Sequence, residues 1–135
     1  MRLALILLTL VSLFLTDASA AKISRTDRIL KRAYQLQQSE IQVRFSGRVI
    51  AILTDDNDGD RHQRFIVELA TGQTLLIAHN IDIAPRVERL RKRSEVTIRG
   101  EYIWNSEGGI VHFTHASSYG DHPGGWIKFK GKKYQ

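Results

Sequence analysis

Cysteine is absent from the sequence, and only two prolines and one methionine occur among its 135 residues. Without cysteine the chain has no disulfide framework and no thiolate nucleophile, so a stable fold must depend on a packed hydrophobic core. The G-x-S-x-G, phosphate-loop and H-E-x-x-H motifs are missing as well, which removes common signatures of hydrolases, nucleotide-binding proteins and metalloproteases. These absences favour a protein that is not an enzyme, although they do not decide whether it has enzymatic activity.

One long apolar run extends from Leu3 to Leu15, and it is too short to span a bilayer as a helix. Arg2 precedes this run and the small residues Ala18-Ser19-Ala20 follow it, which is the pattern of a secretory signal peptide. We therefore predict a signal peptide over residues 1–20, with cleavage after Ala20. The mature protein is then periplasmic or extracellular and has no transmembrane segment.

Positive charge is in excess, because 20 Lys and Arg residues stand against 14 Asp and Glu residues. The net charge is +6 at pH 7, and a chain of this charge is attracted to polyanionic surfaces. Removal of residues 1–20 takes away one basic and one acidic residue, Arg2 and Asp17. The charge therefore favours a polyanionic partner such as nucleic acid or an acidic glycan.

The first segment of the mature chain, residues 21–40, has the pattern of an amphipathic helix. Ser24 or Thr26 can cap its N-terminus, and we expect it to end near Ser39. Apolar residues recur at helical spacing at Ile29, Leu30, Ala33 and Leu36.

From Ile41 onward the apolar residues alternate with period two, which predicts a long first strand that Gly47 bends or bulges. The next two strands flank Thr71-Gly72, which we interpret as a two-residue hairpin turn. Residues 80–93, which include a proline and several basic residues, interrupt the strand pattern and can form a loop or one short helical turn.

The fourth and fifth strands are predicted from Glu95 to Trp104 and from Ile110 to His115, with Gly108-Gly109 turning the chain between them. This order predicts a mainly β protein, a small five-stranded OB-like Greek-key barrel over residues 41–135 with an N-terminal α-helix. The C-terminal tail is expected to fasten onto the barrel, as an extra strand, through its apolar side chains, while its lysines stay in water. Those apolar side chains are Trp126, Ile127 and Phe129.

The loop after the first strand is acidic, and Asp56, Asp58 and Asp60 could supply oxygen ligands to Ca²⁺ or Mg²⁺. Its match to an EF-hand loop is imperfect, because Phe65 stands where that loop places a bidentate glutamate. A solvated acidic turn is the alternative interpretation.

A polyanion-binding face is the second candidate site. If Thr71-Gly72 is a two-residue turn, Arg64 lies opposite His79 and His62 lies on the same face. OB barrels bind oligonucleotides or oligosaccharides across the second and third strands and the adjoining loops. The predicted ligand-binding residues are Arg61, His62, Arg64, His79 and Arg86.

Aromatic and histidine side chains could complete either site. Four rings could stack on a ligand or belong to the core: Tyr102, Trp104, Phe113 and Trp126. His112 and His115 are three residues apart, so they can approach one ion only if the strand ends between them. Whether the five histidines converge in space is left open by the sequence.

The segment from Phe45 to Gln135 resembles one bacterial family. The segments that carry the resemblance are Asp55-Asp56-Asn57-Asp58-Gly59, residues 61–67, residues 72–82, Ala84-Pro85-Arg86, Gly100-Glu101-Tyr102, Trp104-Asn105, Gly108-Gly109, His112, Thr114-His115, Gly125-Trp126-Ile127, Gly131 and Tyr134-Gln135. They make the chain similar to domain of unknown function 3465, a group of short secreted proteins. The resemblance implies a small secreted domain and brings no activity, substrate or catalytic residue. After His115 that family continues with another histidine and an Asp-Pro pair, whereas Ala116-Ser117-Ser118 stand here, which argues against a histidine-rich metal centre.

Three functions remain in contention. The first is a secreted binding module for a polyanion, which uses the basic, histidine-bearing face. The second is a divalent-metal-dependent phosphodiester hydrolase with its ion among Asp56, Asp58, Asp60 and His62. The third is an envelope protein-interaction module that docks through the tail around Trp126.

Overall fold

A computed structural model of the chain describes residues 20–135. All of the predicted signal peptide except Ala20 lies outside the described residues. One helix and seven strands follow in this order: α1 (Arg25–Gln35), β1 (Ile41–Ile52), β2 (His62–Glu68), β3 (Thr74–Asn80), β4 (Glu95–Ile103), β5 (Ile110–His112), β6 (Trp126–Phe129) and β7 (Lys132–Tyr134). Within residues 20–135, no helix has the length and hydrophobicity needed to cross a membrane.

Strands β1 to β5 close into a barrel. The hydrogen-bonded order is β1-β2-β3-β5-β4, and β4 pairs back onto β1. All of these pairings are antiparallel except the one between β3 and β5, in which Leu76 faces Ile110. The predicted five-stranded OB-like Greek-key barrel with an N-terminal helix is confirmed.

Strand β1 takes part in both halves of the barrel, which explains its length. Its first part pairs with β4 as far as Arg48, and its last part pairs with β2 from Arg48 onward. Gly47 lies at the changeover, where a Cβ atom would collide with the side chain of Val67 and approach the Glu68 carbonyl oxygen to 2.8 Å. The register shift itself lies between Val49 and Ala51, so the bulge is three residues beyond the predicted glycine.

The barrel interior is filled by the inward-facing residues of every strand, as the period-two pattern predicts. The fully or almost fully buried set comprises Val43, Phe45, Val49, Phe65, Val67, Leu75, Ile77, Val96, Ile98, Tyr102, Val111, Ile127 and Phe129. Tyr102 belongs to this core, and its hydroxyl donates a hydrogen bond to the Gly108 carbonyl at 3.1 Å. It therefore supplies no stacking surface to a ligand.

Helix α1 begins at a capping box. The Ser24 hydroxyl accepts the Asp27 backbone N–H at 3.0 Å, and the Asp27 carboxylate accepts the Ser24 backbone N–H at 2.7 Å. Leu30 and Ala33 are buried against the barrel, whereas Ile29 and Leu36 are 42% and 51% exposed. The apolar stripe is thus narrower than predicted, and the helix ends at Gln35, before the expected Ser39.

The β2–β3 connection corrects the predicted hairpin. The Leu69 N–H donates to the Gln73 carbonyl at 2.9 Å, so three residues, Ala70 to Gly72, form the loop. Gly72 has φ +83°, the left-handed conformation that closes three-residue hairpins. The additional loop residue moves the pairing by one position, and a shift of one exchanges the two faces of a strand.

The C-terminal tail forms two strands where we expected one. β6 adds to the edge of β4, with Arg99 opposite Trp126, and β7 folds back on β6. Gly125 precedes β6 at a point where a Cβ atom would collide with the Phe113 carbonyl and approach the Arg99 carbonyl to 2.6 Å. The tail can therefore dock only if this residue lacks a side chain.

Replacing Gly125 with alanine should lower the free energy of unfolding by about 1–3 kcal/mol, because the methyl group overpacks the contact between β6 and the barrel. Gly124→Ala is the matched control, since nothing lies within 4 Å of a Cβ atom there. Urea unfolding of both variants measures the difference. Equal stability of the two would show that the close approach at Gly125 does not constrain the fold.

Candidate functional site

The predicted binding arginines lie where the β1–β2 loop meets the β3–β4 loop. Arg61 donates to both carboxylate oxygens of Asp82 at 2.8 Å, through its side chain and its backbone N–H. Arg86 forms an ion pair with Asp55 across the same two loops. The hydrogen bond from Arg86 lowers the pKa of Asp55, and the backbone and side-chain bonds from Arg61 lower that of Asp82. Both arginines are therefore engaged within the protein.

The side chains of His62 and Arg64 form hydrogen bonds to the β1–β2 loop. The His62 Nδ1 atom lies 2.8 Å from the Asp60 carbonyl oxygen, and the Arg64 Nε–H donates to the Thr54 carbonyl oxygen at 3.0 Å. Arg64 faces Ala78 across the hairpin. The expectation that it faces His79 is wrong, because the hairpin loop is one residue longer than predicted.

His79 turns into the barrel. Its partner across the hairpin is Gln63, and the imidazole of His79 has no exposed surface. The His79 Nε2 lies 2.9 Å from the Pro85 carbonyl, which can only accept a hydrogen bond, so Nε2 carries the proton. The Thr114 hydroxyl then donates to Nδ1 at 2.8 Å. His79 is thus a structural residue that cannot touch a ligand at the surface.

Gln63 completes this buried polar pair. Its side-chain amide donates to the Val87 carbonyl at 3.0 Å and accepts the Val87 backbone N–H at 2.9 Å. Together with His79, it holds the β3–β4 loop against the barrel end. Burial lowers the pKa of His79, and the charges of His115 and His62 act in the same direction.

A lowered pKa at His79 makes stability depend on pH. The unfolded chain binds a proton near the ordinary histidine pKa of about 6.5, whereas the folded protein binds it only at lower pH. Stability should therefore fall as the pH drops below about 6.5, with a slope of at most about 1.4 kcal/mol per pH unit from this residue.

His79→Gln should flatten the slope of unfolding free energy against pH between neutral pH and pH 5. The control, His122→Gln, removes a half-buried loop histidine, and the flattening in His79→Gln should exceed any change in this control. Chemical unfolding across this pH range measures both. An undiminished slope in His79→Gln would refute the assignment.

The acidic loop after β1 makes mostly local contacts. The Asp56 carboxylate accepts the Asp58 backbone N–H at 3.0 Å, and the Asp60 carboxylate accepts the Asn80 side-chain amide at 3.0 Å. In residues 20–135 no group of three or more His, Asp or Glu side chains is placed to hold a metal ion. Binding of Ca²⁺ or Mg²⁺ by Asp56, Asp58 and Asp60 stays a prediction.

The structure assembles a different basic surface on the outer side of the sheet formed by β1, β4, β6 and β7. We call it the Trp126 face. It consists of Arg44, Arg99, Trp126, Lys128 and Lys133. Arg44 pairs with Arg99, Arg99 pairs with Trp126, and Lys128 pairs with Lys133. The four cationic residues are exposed and the indole is half-buried.

Three of these cations lie over the indole ring of Trp126. The guanidinium carbon of Arg44 and the ammonium nitrogens of Lys128 and Lys133 each lie 5.4 Å from the Trp126 ring centroid. This is cation–π distance. The ring therefore concentrates positive charge at one place on the sheet.

No carboxylate in the described part of the chain neutralises this charge. The two glutamates on the same face of β4 are bound elsewhere, Glu95 to Arg48 at 2.8 Å and Glu101 to His112 at 2.9 Å. The remaining ion pairs of residues 20–135 join the two loops described above. The Trp126 face is thus a site at which cations lack internal partners.

The sequence as a whole supports a family assignment. The family model described as "Protein of unknown function (DUF3465)" matches residues 11–135. The chain belongs to this family. That assignment confirms the resemblance found in the sequence. No curated protein matches the chain.

Sequence reasoning missed the Trp126 face of this DUF3465 protein for an identifiable reason. Period two along β6 places Trp126 and Lys128 on one face and buries Ile127 and Phe129 on the other, and this local signal is visible in the sequence. We expected Trp126 to help fasten the tail, to supply one of four rings to a ligand or to dock a protein partner, and we did not group it with these cations. The neighbours Arg44 and Arg99 come from distant strands, and only the pairing of β1, β4 and β6 reveals them.

Proposed function

We propose that the protein is a binding module for polyanions and that the Trp126 face holds the ligand. The observation that carries this proposal is the set of three cations around one indole ring with no carboxylate partner in residues 20–135. The chemistry of such a surface suits an extended chain of phosphate, sulfate or carboxylate groups.

Electrostatic repulsion within the free protein supports the same conclusion. Arg44 lies directly opposite Arg99, and like charges at opposed positions of a sheet are destabilising. A bound polyanion removes this repulsion and releases the counterions that both partners had condensed. Binding should therefore be strong at low salt and weaken steeply as salt is added.

The chain contains a second basic cluster, which provides a matched comparison. Arg91, Lys92 and Arg93 are exposed in the turn before β4. They form no ion pair within residues 20–135 and no aromatic ring lies under them there. Three free cations in a solvated turn attract an anion, but nothing holds them in a fixed arrangement.

The triple variant Arg44→Gln, Lys128→Gln, Lys133→Gln should bind a polyanion at least about tenfold more weakly at low salt. For a single-stranded oligonucleotide the slope of log affinity against log salt should also shrink by about 2. The control variant carries Arg91→Gln, Lys92→Gln and Arg93→Gln, which removes the same charge and should retain most of the affinity. Fluorescence anisotropy with labelled oligonucleotide and labelled heparin measures both variants.

Equal losses in the two triple variants would mean that net charge alone attracts the ligand, and the Trp126 face would lose its special role. Absence of binding to any polyanion by the unmodified protein would reject the proposed function.

We also propose that the protein acts in the periplasm or outside the cell, on the support of the signal-peptide pattern in residues 1–20. The metal-dependent hydrolase and the envelope protein-interaction module stay predictions, because no contact within residues 20–135 favours either one over polyanion binding.

A further inference from the structure

We infer that the polyanion is a single-stranded nucleic acid and that a base stacks on the free end of a column of three rings beside the Trp126 face. The rings belong to His112, Phe113 and His122, and we call them the ring column. This inference rests on the proposed function, because it names the ligand class of the same surface.

The ring column is closely stacked. The centroids of His112 and Phe113 are 4.0 Å apart with an interplanar angle of 20°, and those of Phe113 and His122 are 4.1 Å apart with an angle of 3°. His115 meets the edge of His122 with centroids 4.9 Å apart. All three stacked rings are half-buried. Each face of Phe113 is therefore covered by a histidine ring, and the column offers a nucleobase the outer faces of its end rings, His112 and His122.

The column and the cations lie on one continuous surface. His112 pairs with Glu101 across β5 and β4, and Glu101 is two residues from Arg99 on the same face of β4. Arg99 in turn pairs with Trp126. His112 therefore lies on the same side of the sheet as the unpaired cations, with Glu101, which is hydrogen-bonded to His112, between them.

The backbone at Phe113 directs its ring into the column. Phe113 has φ +50°, in the left-handed region that disfavours an aromatic residue. β5 ends at His112, and this conformation takes the Phe113 ring out of the strand pattern and into the half-exposed column.

The combination of rings and cations selects among polyanions. The cations can bind any phosphate, sulfate or carboxylate chain, whereas the outer face of an end ring gains most from the planar face that every nucleobase presents. A duplex keeps its bases stacked on each other, and a sulfated glycan or polyphosphate has no planar aromatic group. Single-stranded nucleic acid is the polyanion that uses both parts of the surface.

The test compares three probes on the full protein: single-stranded oligothymidylate, a DNA duplex of the same length, and inorganic polyphosphate. Phe113→Asn removes the central ring while keeping a residue that tolerates the left-handed backbone. His122→Ala removes an outer ring from the loop before β6, and it remains informative if the first variant is poorly folded. Tyr119→Ala is the control, because Tyr119 is 94% exposed in the same loop and lies outside the column.

We expect the unmodified protein to prefer oligothymidylate to the duplex. His122→Ala removes an end face of the column and should weaken oligothymidylate binding by about fivefold or more, the usual contribution of one stacked base. Phe113→Asn should have a similar effect, because both histidines lose the ring on which they stack. Polyphosphate binding should be unchanged in both variants, and Tyr119→Ala should behave like the unmodified protein.

Three results would overturn the inference. If polyphosphate binds and the ring variants leave oligothymidylate affinity unchanged, the ligand is a polyanion that needs no stacking, and the proposed function survives alone. If both probes lose affinity equally in the ring variants, the column acts only by shaping the sheet. Failure of all three probes to bind would remove the proposed function as well.

Discussion

Strand β4 divides one of its edges between two partners, and much of the molecule depends on this arrangement. Residues 101–103 pair with β5, and residues 97–99 pair with β6. β5 must therefore stop after His112 to leave the edge free, and the chain must return to it at Trp126. The left-handed Phe113 marks the departure, and Gly125, which lies against the Phe113 carbonyl, marks the return.

This shared edge also gives the protein its uneven distribution of charge. Arg61 and Arg86 are matched by Asp82 and Asp55, so the two loops are joined at this point and these two arginines present little free charge. On the outer side of β4 the acids are matched by Arg48 and His112, and the cations next to Trp126 are left without partners. The net charge is +6. The cations without a partner lie mainly where β6 has been added to the barrel and in exposed turns.

Buried polar groups in the interior hold the β3–β4 loop in place. Gln63 and His79 face each other across the hairpin, and both satisfy backbone groups of the β3–β4 loop. Buried amide and imidazole groups are tolerated because every one of these hydrogen bonds replaces one to water. The pair fixes the loop, and through it the positions of Arg86 and Asp82, without contributing any surface for a ligand.

The sequence by itself determined what local chemistry controls. Ser24 signalled the helix start, period two signalled the five barrel strands and the burial of Ile127, and Gly108-Gly109 signalled the last barrel turn. Tertiary structure alone decided the hairpin register, because loops of two and three residues around Gly72 have nearly the same local signal but exchange the faces of β3. It also decided the Trp126 face and the ring column. Strand pairing over long sequence separations depends on which edges the closed barrel leaves free, and no spacing along the chain records that.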